Sequence, residues 1–235
     1  PSTYLPKDHP LFAEGAQEYP YDPETGRQLL DQVGWKDWDG DPETPLQSVG
    51  VANVLDGTFF RINYFTTQAS LRQQIAGIIS ASLADCGIEV TVSQLTPDEL
   101  YAEGPEGRLF GRNFDLAQFA WSSGLMPQCE FYASDQIPTA GNRWLTLNIG
   151  GFSNAEYDAA CQSSLSIRPD GSEAYTEAQK EAQRLFAADL PAVPLYFRIK
   201  IALTRPDLCG LSDETSSGSI FWNIEGLDFG ENCQP

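Results

Sequence analysis

The 235-residue chain has one histidine, one methionine and only 14 Lys and Arg against 33 Asp and Glu, a formal net charge of -19. A single histidine leaves every Ser-His or Cys-His mechanism one candidate base, His9. It lies between Asp8 and Pro10 in an irregular N-terminal stretch, with nothing to bring a nucleophile to it. The shortage of cations argues against nucleic acid and most anionic membrane surfaces as partners. No run of about 18 apolar residues occurs, so no membrane-spanning helix is expected. There is also no GxSxG elbow, no GxxxxGK[ST] phosphate loop and no CxxC or CxH pair. Carboxylate pairs for glycoside hydrolysis can always be drawn from 33 acids, but solvated surface acids account for them. These absences set catalysis aside, and neither a cofactor nor a resident metal is expected.

What is present is a globular composition, 41% hydrophobic, enough for one large domain or two small ones. The start, PSTYLPKDHP, has no initiating Met and no charged-then-apolar pattern, so an export signal would lie upstream. Five cysteines avoid metal spacing. Cys129 with Cys161 and Cys209 with Cys233 are the favoured disulfides, because each pair sits in Gly/Pro/Asp-rich loops or on a helix face beside them. Cys86, at the end of an apolar helical stripe, is expected to stay a buried thiol. The alternative is five reduced thiols in a cytosolic protein.

Asp22-Pro23 opens a helix carrying Leu29, Leu30 and Val33 that Gly34 closes. Residues 35–57 read as loop. The alternation of Phe60, Ile62 and Tyr64 marks a strand over 59–65, and Leu71, Ile75, Ile78, Ile79 and Leu83 mark a helix ending before Gly87. Ile88, Val90 and Val92 form the next strand. Strand, helix and strand make a right-handed βαβ unit with parallel strands. A short helix over 97–103 precedes a strand over 114–121, apolar on both sides as a central strand would be. Its C-terminal end, at Trp121, belongs at the edge where α/β sheets collect ligands. Ser153 to Glu156 fits a capping box for a helix through Tyr157, Ala160, Cys161 and Leu165, and Ser172 caps another through Ala178, Ala182, Leu185 and Phe186. The run VPLYFRIKIALT, 193–204, reads as strand.

Asp37, Asp39 and Asp41 resemble the first half of a DxDxD calcium loop. Pro42 stands where such loops need Gly and no Glu occupies position 12, so a solvated acidic turn is the better reading. Trp121, Phe131, Tyr132, Trp144 and Trp222 sit near Gly/Ser/Asn-rich loops, where aromatic walls serve small-ligand recognition or wedge loops onto the core.

Five stretches in order resemble one family: YPYDPETGRQLLDQVGW at 19–35, IAGIISASLADCGIEVTV at 75–92, FDLAQFAW at 114–121, GGFSNAEYDAA at 150–160 and EAQRLFAADLPAVPLYFR at 181–198. They are similar to the extracellular solute-binding proteins, family 5, of ABC importers for peptides, nickel and related solutes. The resemblance implies an α/β periplasmic-binding-protein lobe of the type II clamshell, with a mixed, mostly parallel sheet flanked by helices. It implies a second lobe cut from a protein of about twice this length or more: an arm over 1–18, a ligand-binding lobe over 19–204, and a disulfide-stapled tail over 205–235 returning towards the first lobe.

By the same resemblance, a monomer outside the cytoplasm, in the periplasm or at the outer membrane face and anchored through an upstream segment, captures an oligopeptide or oligosaccharide for a membrane permease. A secreted hydrolase or a ligand sensor is the alternative of another class. Ligand contacts are expected at Trp121, Ser122, Ser123, Gly124, Arg143 and Trp144. In peptide-binding members the Trp ending this strand lines the pocket and an Asp three residues later pairs with the peptide ammonium. Here that residue is Gly124, so the charged anchor is missing, which suits a solute without a free ammonium.

Overall fold

A computed structural model describes residues 1–121, 129–167, 172–198, 201–211, 219–230 and 233. The chain divides into two compact units: Pro1–Gln17, Trp121–Cys129 and Glu156–Pro235 in one, Glu18–Ala120 and Glu130–Ala155 in the other. This division cuts across the linear arm, lobe and tail read from the sequence.

The second unit carries the α/β core. Helix α1, Pro23–Gln32, starts as its sequence dictates, with the Asp22 carboxylate accepting from the Thr25 N–H at 3.0 Å and Pro at the first turn. The stretch read as loop holds a short antiparallel pair, β1 (Trp35–Lys36) and β2 (Gln47–Ser48). Trp35 stacks on Phe60 at 4.0 Å, an aromatic packing that two-residue strands give no periodicity to reveal.

Strand β3 (Arg61–Thr67), helix α2 (Ser70–Ala84) and strand β4 (Glu89–Leu95) form the expected βαβ unit, with β3 and β4 parallel from Arg61↔Glu89 to Thr67↔Leu95. The alternation read at 60, 62 and 64 gives way to a continuous buried run, Tyr64 to Thr67, because β3 is the middle strand of the order β4-β3-β5. In α2 the apolar stripe does not all face inwards: Arg72 and Ala76, one turn apart, are buried, while Leu71 is 51% and Ile78 66% exposed. The small Ala76 lets the helix approach closely along that line.

After α3 (Pro97–Leu100), with a Thr96/Glu99 capping box, comes the strand expected over 114–121. Only Leu116–Ala117, β5, pairs, in parallel with Tyr64 and Phe65 of β3. It is therefore an edge strand of this sheet, and the central place expected for it belongs to β3. Leu116 and Ala117 themselves are half-buried.

In the first unit lie most of α4 (Ala155–Ser166) and α5 (Glu173–Asp189), the latter capped by Ser172, whose hydroxyl accepts from the Tyr175 N–H at 3.3 Å. The irregular arm is packed, not loose. Gln183 of α5, fully buried, accepts from the Thr3 hydroxyl and the Ala13 N–H, both at 3.2 Å, and donates to the Leu11 carbonyl at 2.7 Å. Tyr4 meets Phe186 edge to face at 5.1 Å. Disulfides join Cys129 to Cys161 and Cys209 to Cys233, with Cα atoms 5.6 and 5.4 Å apart, and Cys86 is a free thiol. The strand expected over 193–204 does not form among its described residues: Leu195, Tyr196, Phe197, Ile201 and Leu203 are 38–95% exposed and no ladder engages them. A strand exists only where a partner supplies its hydrogen bonds, and none is present among the described residues. The tail contributes β6 (Leu208–Cys209) paired antiparallel with β7 (Asp228–Phe229). Among the described residues no helix is long and apolar enough to cross a membrane.

Candidate functional site

The C-terminal ends of β3 and β5 lie side by side, and α2 leaves from the first of them. Past the last paired residue, the Gln118 N–H donates to the Phe65 carbonyl at 2.9 Å, and the Gln118 side-chain oxygen accepts from the hydroxyls of Tyr64 at 3.3 Å and Thr66 at 3.1 Å. Arg72, 8% exposed, reaches over this edge and donates from one terminal nitrogen to the Gln118 carbonyl at 2.7 Å. Burial holds the Tyr64 hydroxyl neutral, its pKa raised to about 12, with the nearby Arg72 charge acting the other way.

Trp121 follows three residues after Gln118 and is half-buried. Ser122, Ser123 and Gly124 lie outside the described residues. Trp121 falls in the first unit, and Arg143 and Trp144 in the second.

Arg143 and Trp144 occupy a strained turn. A single 3₁₀ turn, Ala140–Asn142, is closed by the Asn142 side chain, which accepts from the Thr139 N–H at 2.8 Å and donates to the Ile137 carbonyl at 2.7 Å. Arg143 and Trp144 then adopt φ of 57° and 59°, two successive left-handed residues without glycine. Arg143 is exposed. The Trp144 indole lies on Gly104, where an added Cβ would fall 2.6 Å from its Cγ, so part of the ring expected as a ligand wall is taken up by packing. Nearby, Asn148 is buried and ties the loop together, donating to the carbonyls of Tyr132, Ala133 and Phe152 at 3.1, 2.9 and 2.8 Å.

The aspartate triplet turns its carboxylates to its own backbone. Asp37 accepts from the Gly40 N–H at 2.8 Å, Asp39 from the Asp41 N–H at 3.0 Å and the Thr44 hydroxyl at 2.7 Å, and Asp41 from the Glu43 N–H at 2.9 Å. The Thr44 bond, followed by that from Asp41, lowers the Asp39 pKa. The three carboxylates are not gathered within 4.8 Å of one another, the spacing a shared cation would need. A shallow groove lined by Trp35, Asp37, Asp41, Ala84 and Asp85 lies at the opposite end of α2 from Arg72. His9 Nδ1 accepts from the Leu11 N–H at 3.1 Å, a turn-stabilising role.

Sequence reading missed Arg72, Gln118 and Asn148. Arg72 carried a signal: a cation in the first turn of a helix opposes the macrodipole and calls for a reason.

Residues 2–142, more than half of the chain, match the family model described as bacterial extracellular solute-binding proteins, family 5 Middle. The oligopeptide-binding protein AppA of Bacillus subtilis (strain 168) is 26% identical over 182 residues, which are 77% of this chain and 30% of that protein. The fold is similar to that of an oligopeptide binding protein from Thermus thermophilus complexed with pentapeptide, with a TM-score of 0.75 at 24% identity over 97% of this chain and 39% of that one. It is similar also to a mannohexaose-bound periplasmic oligopeptide-binding protein from Thermotoga maritima, with a TM-score of 0.65 at 17% identity over 90% of this chain and 40% of that one. The chain spans about a third of the length of the relatives it matches. The five ordered motifs, the parallel βαβ core and the match over residues 2–142 make this chain a member of the bacterial extracellular solute-binding proteins, family 5.

Proposed function

We propose that the protein is the solute-capturing component of an ABC-type importer, with no chemistry of its own. It works outside the cytoplasm as a monomer, enclosing an oligopeptide or similar small solute between lobes and passing it to a membrane permease. The match over residues 2–142 carries this reading. Support comes from the sheet edge, where the ends of β3 and β5 present buried polar groups as α/β ligand sites do. Trp121, with the small residues Ser122, Ser123 and Gly124 after it, supplies one wall; Arg143 and the open part of Trp144 border the solute.

An oligosaccharide is the second reading, favoured by Gly124 where peptide binders of the family carry the ammonium-pairing Asp. The test is a tryptophan-fluorescence titration of the full-length protein with matched peptide and oligosaccharide panels. Saturable binding is expected, weakened by about 30-fold or more in Trp121→Ala, since a buried aromatic anchor contributes about 2 kcal/mol or more. No response to either panel would refute solute capture, and a response confined to sugars would replace peptide by oligosaccharide.

A further inference from the structure

Each of the other long helices shows acids to solvent: Glu24 and Asp31 on α1, Glu156 on α4, and Glu173, Glu177 and Glu181 on α5. Helix α2 does not. Its fifteen residues contain no Asp or Glu, and the one charged residue, Arg72, is buried with its guanidinium on the Gln118 carbonyl. The outer face is left with Leu71, 51% exposed, and Ile78, 66% exposed, two turns apart on one line, and beside them the exposed Gln74, Gly77 and Ala81. A surface helix ordinarily turns charged and polar residues outwards, and a helix that is apolar on both sides is a covered one.

Gly77 points the same way. Glycine in the middle of a helix weakens it relative to alanine. A Cβ added at Gly77 would meet nothing within 4 Å, so no contact among the described residues calls for glycine there. What the missing side chain leaves is a notch beside the Leu71 and Ile78 ridge, continued by the small Ala81, where another backbone can come close. Ridge beside notch is the relief into which a second helix packs, and the fifteen residues make a strip about 22 Å long. Charge selects the occupant. A second copy of a chain with net charge -19 is repelled, as is an anionic membrane surface. A cationic partner finds no carboxylate within residues 70–84 to pair with.

We propose that the outer face of α2 is a docking surface for an uncharged, apolar-faced helix of another protein. This contact goes beyond solute capture and stands or falls without it. Leu71 and Ile78 enter grooves of the partner helix, and a partner side chain fills the notch at Gly77. Taking the two exposed aliphatic side chains out of water supplies the attraction. With no charge on either helix, no ion has to be desolvated when they meet. Selectivity follows from the same absence: a helix with charges on its contact face would bury them against Leu71 and Ile78 with nothing to pair them.

The test is amide NMR on the isotope-labelled 235-residue chain. The probe is a hydrocarbon-stapled helix as long as α2, with Leu along one face and Gln elsewhere, compared with versions carrying Glu or Lys in place of Gln. Stapling supplies the helix that so short a peptide does not hold alone. The Gln helix should shift the amides of residues 71–81 saturably, the Glu helix should not, and the Lys helix should act there more weakly than the Gln helix. Ile78→Ser, at an exposed position, should weaken binding by about tenfold. Gly77→Ala should raise the melting temperature and yet weaken binding by about threefold or more, because the methyl fills the notch. A glycine with no docking role would give the higher melting temperature with binding unchanged, which would count against the proposal. No shift at residues 71–81, or an equal shift there with the Lys helix, would overturn it. Shifts confined to the ends of β3 and β5 would mean that the probe is taken as solute, and a dimer seen by sedimentation and abolished by Ile78→Ser would put a second copy on this face; either result would overturn the proposal.

Discussion

Replacing Gln183 by Leu tests what holds residues 1–17 in place. The two side chains are similar in volume, so the variant leaves no cavity, but it removes four hydrogen bonds: from Thr3 and Ala13 to the side-chain oxygen, and from its nitrogen to Leu11 and Gln179. Two of the partners have alternatives. The Thr3 hydroxyl keeps the Leu5 carbonyl at 3.2 Å, and the Gln179 carbonyl keeps its place in α5. The Ala13 N–H and Leu11 carbonyl lose a buried partner outright, at about 1–3 kcal/mol each. Burying Leu in place of an amide returns about 1–2 kcal/mol, which leaves a net loss of about 3 kcal/mol.

Urea unfolding followed by circular dichroism should show a midpoint lower by about 1–2 M. Limited trypsin digestion should show faster cleavage after Lys7. A loss below about 0.5 kcal/mol, within the range of ordinary surface substitutions, with unchanged cleavage would refute the claim that Gln183 holds the arm. Gln183→Glu adds a sign: it keeps an acceptor but buries a carboxylate, so it should damage the fold more at neutral pH than near pH 4.

Gly104→Ala places a methyl carbon 2.6 Å from Trp144 Cγ, so the ring must move; near-UV circular dichroism should change and stability should fall by about 1–3 kcal/mol. Removing Cys129 and Cys161 together frees a loop whose ends are 32 residues apart, for an expected loss of about 3–4 kcal/mol by thermal melting. Tyr64 and Tyr132 have pKa values raised to about 12 by burial, with the Arg72 charge opposing the shift at Tyr64. The folded value exceeds the unfolded one, so their contribution is whole below about pH 10 and is lost as the pH rises towards about 12. Tyrosinate absorbance and far-UV circular dichroism should therefore change together in that window, and a single midpoint near about 10 with structure intact would contradict it.

The βαβ unit was legible because its signals are local: a helical stripe from Leu71 to Leu83, Gly87 at the turn and alternating Val90 and Val92. Caps at Asp22 and Ser172 were legible for the same reason, since a cap is a short-range hydrogen bond. What failed depended on neighbours. The 114–121 run looked central because it is apolar on both sides, yet only Leu116 and Ala117 of it pair, at the edge beside β3. The 193–204 run has the apolar pattern of a strand but no ladder partner among its described residues. At the candidate site, Trp144 looked like a free wall because no sequence pattern shows Gly104 beneath it. Arg72 was hidden inside a stripe read for its apolar members, although its position in the first turn against the helix dipole was visible.

The bonds from Thr3 and Ala13 to Gln183 join residues 180 and 170 positions apart. At about 5–20 residues per second of synthesis, residues 3–13 leave the ribosome about 10–35 seconds before the helix that buries them exists. For that interval Leu5, Leu11 and Ala13 have no native surface to cover them, while β3, α2 and β4 lie close in sequence and can already pair. A factor that shields nascent chains would therefore find the arm open after the sheet has formed, and a change that slows synthesis before α5 would lengthen that exposure without altering any native contact.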